Sequence, residues 1–216
     1  MDVKAVVFDM DGVIFDTESL WKVAFNKAND VFNLSLTEDY RQSTCGKNET
    51  LIRQELKSTY PDLDVAKYRD FMLNHVNNAI KLGQFNIKDG FIDLIDSLKN
   101  LGIKTVLATS SHKERAQNLF SVKGFDIDKL FDGAIFYEDC LGRSKPDPYI
   151  FKIAVDGVGV LPQNAIVLED SINGVKASYD GGFIPVMVVD LIEPDDYCQK
   201  NCKKIIRSLR EVLSLI

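Results

Sequence analysis

The sequence predicts an α/β fold: a mainly parallel sheet core carrying an inserted α-helical domain. Three observations predict it. From about residue 91 onward, short β-branched runs alternate with amphipathic helices, the pattern of right-handed crossovers and of a sheet covered on both faces. Residues 20–82 instead keep a helical period with no convincing strand, so a separate block interrupts the alternation. The 216 residues, 45% apolar and 27% charged, are enough for a sizeable core plus an insertion.

The elements follow in order. Val3-Lys4-Ala5-Val6-Val7-Phe8 is a β-branched run stopped by Asp9-Met10-Asp11-Gly12, which reads as a buried strand ending in a tight polar turn. Leu20, Trp21, Ala24, Phe25 and Ala28 then share one helix face, and Tyr68, Met72, Val76 and Ile80 another. Phe91, Leu94, Ile95, Leu98 and Leu101 line a helix that stops at Gly102, where glycine accepts the left-handed C′ conformation. A strand is predicted over 103–108. Ser111-His112-Lys113-Glu114 has capping-box spacing, which makes Ser111 the N-cap of a helix through Ala116, Leu119 and Phe120 to Gly124. Further on lie a strand over 133–136, a helix over 148–158, a strand over 165–168, a shorter helix after Ser171, a strand over 184–189 and a final amphipathic helix over 207–216. Residues 1–16 and 85–216 thus form a Rossmann-like core. Residues 17–84 form the helical cap, with Thr17 and residues 84–89 as hinges.

Composition excludes several function classes. The 26 Lys and Arg against 32 Asp and Glu leave a net charge of -6, which repels a polyanion, so nucleic acid is not expected as a partner. The longest apolar stretches, 5–8 and 184–189, fall far short of the roughly 20 residues a membrane helix needs. No leader pattern precedes the first strand, so a cytoplasmic address is expected. The four cysteines, Cys45, Cys140, Cys198 and Cys202, read as reduced thiols in a chain that needs no staples. Cys198 and Cys202 stand four apart but have no neighbouring ligands to complete a metal site. His75 and His112 are the only histidines, so Ser-His-Asp hydrolysis lacks its raw material unless His112 serves alone. The chain is read as a monomer acting on a small molecule.

In an open α/β sheet, ligands bind beyond the carboxyl ends of the strands. Here those ends carry Asp9 and Asp11, Thr109-Ser110-Ser111, and Glu169-Asp170, with Lys145 following the third core strand. Carboxylates about 4 Å apart repel by about 4 kcal/mol at an effective dielectric near 20, so Asp9, Asp11 and Asp170 need a cation between them. An oxygen-only donor set selects Mg²⁺, which favours a phosphate oxygen as a further ligand. Lys145 would balance the remaining phosphate charge, while Thr109 and the Ser110 backbone N–H would hydrogen-bond its oxygens. One Asp is then free to attack phosphorus, and the carboxylate two residues on to protonate the leaving oxygen.

Asp9-Met10-Asp11-Gly12-Val13, Ala108-Thr109-Ser110-Ser111, Lys145-Pro146-Asp147-Pro148 and Leu168-Glu169-Asp170-Ser171 together resemble the four motifs of the haloacid dehalogenase superfamily. The insert after Asp16-Thr17 resembles the cap of its β-phosphoglucomutase-like branch. The resemblance implies an Asp9 nucleophile, an Asp11 general acid/base, and phosphate binding by Thr109, Ser110 and Lys145. It also implies Mg²⁺ on Asp9, the Asp11 backbone carbonyl and Asp170, with Glu169 as a further metal contact. The second Asp disfavours a dehalogenase, because a halide needs no proton. Mutases of the branch place a His, a Lys and an Arg in the cap, where this chain has Trp21, Cys45 and Glu49; a Glu repels a second phosphate. Lys47 and Arg53 are the cations that could replace them, so a phosphosugar mutase is the alternative to a sugar- or polyol-phosphate phosphatase. Trp21, Cys45, Lys47, Glu49 and Ser111 are the candidate specificity residues. A receiver-like phospho-acceptor switch is a third reading, disfavoured because its acidic pair precedes its acceptor Asp.

Overall fold

The computed structural model describes residues 2–44 and 49–216. The elements run β1 (Ala5–Phe8), β2 (Phe15–Asp16), α1 (Glu18–Phe32), α2 (Glu38–Thr44), α3 (Glu49–Thr59) and α4 (Val65–Lys81). Then come β3 (Asn86–Ile87), α5 (Phe91–Asn100), β4 (Lys104–Ala108), α6 (Lys113–Val122), α7 (Ile127–Leu130) and β5 (Gly133–Ile135). The chain ends with α8 (Tyr149–Asp156), β6 (Ala165–Glu169), α9 (Ile172–Asp180), β7 (Ile184–Val188), α10 (Asp196–Asn201), β8 (Lys204–Ile206) and a 3₁₀ helix, Leu209–Leu215. Two compact units result: Met1–Asp16 with Asn86–Ile216, and Thr17–Phe85.

The first unit is built on one six-stranded sheet in the order β5-β4-β1-β6-β7-β8, every neighbour parallel. All of its strands therefore deliver their carboxyl ends to the same side. The chain lays β4 and β5 on one flank of β1 and then β6, β7 and β8 on the other. The reversal of winding beside β1 opens a crevice there. Every residue of β1 is fully buried, which is why it reads as an unbroken apolar run: both of its faces are covered. On one face Ala5, Val7, Val106, Val167 and Ala165 meet Ile150, Phe151, Ala154 and Val155 of α8. On the other, Phe8, Phe91, Phe120 and Phe131 make edge-on contacts at centroid distances of 5.8–6.0 Å, each worth about 0.5–1.5 kcal/mol beyond its burial.

In the second unit α1 packs along α4, bringing Leu20, Ala24, Phe25 and Ala28 together with Tyr68, Met72, Val76 and Ile80 as the core. Burying polar Asn29 there costs little because its amide donates to the Leu36 carbonyl at 2.9 Å and its oxygen accepts from Tyr68 Oη at 3.3 Å. Arg41, only 4% exposed, is forked onto Glu38 at 2.8–3.1 Å.

The sequence-based reading needs correction at the C-terminus and at Ser111. The final segment is a 3₁₀ helix rather than an α-helix; its buried pair, Leu209 and Val212, stands three apart, a spacing that both periods accept. An unanticipated edge strand, β8, precedes it, carrying just two apolar residues, Ile205 and Ile206. Ser111 does not cap α6 either: His112 occupies that position and its side chain makes no capping bond. Gly102 does stand in the left-handed region at φ 70°.

Candidate active site

Asp9 follows the last residue of β1. Its backbone N–H donates to the Leu168 carbonyl at 3.0 Å, which extends the β1–β6 ladder by one residue and aims the turn across the crevice. Gly12 bends that turn at φ 77°. A Cβ at this position would overlap the Asp170 carboxylate, so glycine serves both the conformation and the close approach. Asp9 is 7% exposed. Lys145 Nζ donates to its Oδ1 at 2.6 Å and also to Glu169 Oε1, so one ammonium bridges two buried carboxylates.

Electrostatics follow from this burial. Asp9 is pushed up to about 7, first by desolvation and then by Glu169 and Asp11, against the pull of Lys145. Asp170 is raised for the same first reason, with Glu169, Asp9 and Asp190 adding to it. Burial alone would lower Lys145, but Asp9 and Glu169 outweigh it and the net shift is upward, so the lysine stays charged. Glu169 Oε2 accepts from the Ser171 N–H at 3.0 Å and from Ser171 Oγ at 2.9 Å. Glu169, the further metal contact that the resemblance implies, thus has Lys145 on one oxygen and Ser171 on the other.

Gly174 in α9 exists to admit that carboxylate, because a Cβ there would overlap it. Alanine in a helix interior normally gains about 1 kcal/mol over glycine. Here overpacking of about 1–3 kcal/mol outweighs the gain. Gly174→Ala is therefore expected to lower the urea midpoint, and an unchanged or raised midpoint would contradict this packing.

Asp11 is held apart from this cluster. Arg115 Nη1 and Nη2 donate to its Oδ2 and Oδ1, each at 2.7 Å, and Ser111 Oγ donates to Oδ2 at 2.9 Å. Thr109, 1% exposed, donates its N–H to the Ile135 carbonyl at 3.0 Å and accepts the Ser111 N–H on Oγ1 at 3.1 Å. Ser110 is exposed in the same loop. His112 Nδ1 pairs with Glu138 Oε1 at 2.9 Å, and its ring meets Tyr137 edge-on at 4.7 Å.

Of the specificity candidates, Trp21 lies on α1 with the Arg69 guanidinium 5.8 Å from its ring centre. Cys45, Lys47 and the Glu49 side chain lie outside the described residues. Sequence reasoning missed Arg115, although its i, i+4 spacing from Ser111 was the available signal.

Among the described residues no three His, Cys, Asp or Glu side chains are arranged to hold a metal ion. A divalent ion here would take two carboxylates, a backbone carbonyl and non-protein oxygens, the sparse oxygen set that Mg²⁺ accepts. The charge fits: Asp9, Glu169 and Asp170 crowd one ammonium, and burial already raises two of the three. No described helix is long and apolar enough to cross a membrane.

The model of the haloacid dehalogenase-like hydrolases matches residues 3–178. The chain belongs to that family. This hydrolase is 28% identical over 222 residues to a phosphorylated carbohydrates phosphatase of Thermotoga maritima, covering 98% of this chain and all of the relative. It is 28% identical over 188 residues to protein CbbY of Cereibacter sphaeroides, covering 83% and 81% of the two chains. A crystal structure of β-phosphoglucomutase from Clostridium difficile superposes with a TM-score of 0.74 at 23% identity, covering 98% and 96%, a likeness of fold. The hydrolase thus has the α/β architecture of the β-phosphoglucomutase-like members.

Proposed function

We propose that this hydrolase is a Mg²⁺-dependent phosphatase of small sugar or polyol phosphates, working through an aspartyl-phosphate. One observation carries the reading: Asp9 stands buried at the carboxyl end of β1 with Lys145 on one of its oxygens, a carboxylate beside a fixed cation where a ligand's phosphate is expected. The full-length similarity to a phosphorylated carbohydrates phosphatase supports the substrate class.

Asp9 attacks phosphorus in line as the bond to the ester oxygen breaks, and Asp11 gives that oxygen its proton. Asp11 then takes a proton from the water that attacks the phosphoryl group, which frees Asp9 and releases inorganic phosphate. Lys145, fixed by Glu169, balances charge on the phosphoryl oxygens, while Thr109 and the Ser110 N–H donate to them. A Mg²⁺ held by Asp9, the Asp11 backbone carbonyl and Asp170 supplies further charge neutralisation when bound. Substrate choice is assigned to residues 17–84.

Phosphate release should be measured over sugar, polyol and nucleoside monophosphates, with a parallel assay of β-glucose-1-phosphate isomerisation. The expected result is release from sugar or polyol phosphates that stops with chelator and returns with Mg²⁺. Isomerisation outpacing release would make the chain a mutase, and release indifferent to chelator would remove the metal from the reading.

A further inference from the structure

Arg115 lies one helical turn beyond Ser111 and reaches back over the N-terminus of α6 to Asp11. Two parallel contacts of 2.7 Å join guanidinium and carboxylate, a fork that lysine cannot reproduce. Ser111 closes the triangle, since its hydroxyl donates to Asp11 Oδ2 at 2.9 Å and accepts from Arg115 Nη1 at 2.6 Å.

The surrounding chain is arranged to leave Ser111 free for this. The hydroxyl that capping-box spacing would spend on α6 is turned to Asp11 instead. The first helical N–H, that of Lys113, is taken by the Glu138 carboxylate at 3.2 and 3.3 Å, from the 3₁₀ turn Tyr137–Cys140. Holding the fold together does not explain the triangle. Arg115 and Asp11 stay 28% and 26% exposed, so water could solvate either one, and a pair this accessible adds little to stability. What the fork does supply is direction, because a carboxylate held through both oxygens loses the free rotation that a lone exposed Asp keeps.

We propose that Arg115, with Ser111, is a positioning residue that aims the Asp11 carboxyl at the oxygen leaving phosphorus. The proposal rests on the phosphatase reading and deepens it. As the P–O bond breaks, the Asp11 proton passes to the departing oxygen and leaves a carboxylate, which the two guanidinium N–H groups and the Ser111 hydroxyl receive. The same contacts hold that carboxylate when it later accepts a proton from water. Arg115 itself touches no reacting atom.

The test compares kcat/KM for p-nitrophenyl phosphate, whose leaving group departs without a proton, with kcat/KM for the sugar or polyol phosphate turned over fastest in the panel above. Arg115→Met should lower the alkyl ester's value at least about tenfold, a part of the roughly 10²–10⁴-fold that general acid catalysis contributes, and the aryl ester's by less than about threefold. Arg115→Lys should recover part of the loss, and Arg115→Met should add nothing in an Asp11→Asn background. Equal losses on both esters, no loss on either, or additivity with Asp11→Asn would overturn the positioning role. If Arg115→Met does not fold, Arg115→Lys and Ser111→Ala are held to the same comparison. A wild-type enzyme silent on both esters would instead overturn the phosphatase reading.

Discussion

Asp9→Asn is expected to lower phosphate release on the order of 10⁴-fold or more, the scale on which removing a covalent nucleophile acts, while raising stability above neutral pH. The two effects share a cause. Asp9 is buried, and desolvation lifts its pKa from 3.8 to about 7, so the folded chain prefers the uncharged carboxyl. Below 3.8 the wild type already carries that neutral group and should melt close to the variant. As pH rises through about 7 the wild type loses the stabilisation that came from keeping Asp9 protonated, whereas Asn has no proton to lose. Thermal melts in chelator from pH 4 to 8 should show a gap in favour of Asp9→Asn that opens with pH. A gap that closes with pH, or a variant with near-normal turnover, would overturn this account of Asp9.

Lys145→Met should cost both stability and activity. Methionine fills the space and leaves Asp9 and Glu169, 7% and 1% exposed, without the ammonium they share. Removing one partner of a buried ion pair costs about 3–5 kcal/mol, and losing a preorganised cation at a reacting phosphoryl group about 10²–10³ in kcat. The stability loss should shrink toward acid pH, because without the lysine Asp9 is protonated more readily and the uncompensated charge disappears. For the same reason Asp9→Asn placed in the Lys145→Met background should restore part of the urea midpoint. A variant as stable as the wild type at pH 8 would show that Lys145 does not neutralise this pair.

The core strands were legible because β1, β4, β6 and β7 are buried and read as short β-branched runs between turn residues. Asp9, Lys145 and Glu169 converge for a related reason: in a parallel sheet, polar residues after successive strands have to arrive on one side. What could not be read depends on distant partners. Capping-box spacing at Ser111 is a local signal, and it lost to Asp11, 100 positions away along the chain. Glu138, which replaces it over α6, comes from a turn with no marker of that role. Lys88 likewise meets Asp190 at 2.5 Å across 102 positions, a partly buried pairing with no sequence period to announce it. At the C-terminus, three-residue β8 is too short for alternation to register.

The small ribbon of β2 and β3, with Phe15 opposite Ile87 and Asp16 opposite Asn86, has an architectural consequence. Residue 17 departs and residue 85 returns at adjoining points, since antiparallel partners stand only about 5 Å apart. The sheet therefore sees the intervening 17–85 as nothing more than a long hairpin loop. A tight turn, a different helical bundle or a second sheet could be spliced between Asp16 and Asn86 without stretching a single crossover of the core, which makes this junction a natural port for exchanging one inserted unit for another while the strand ends around Asp9 stay where they are.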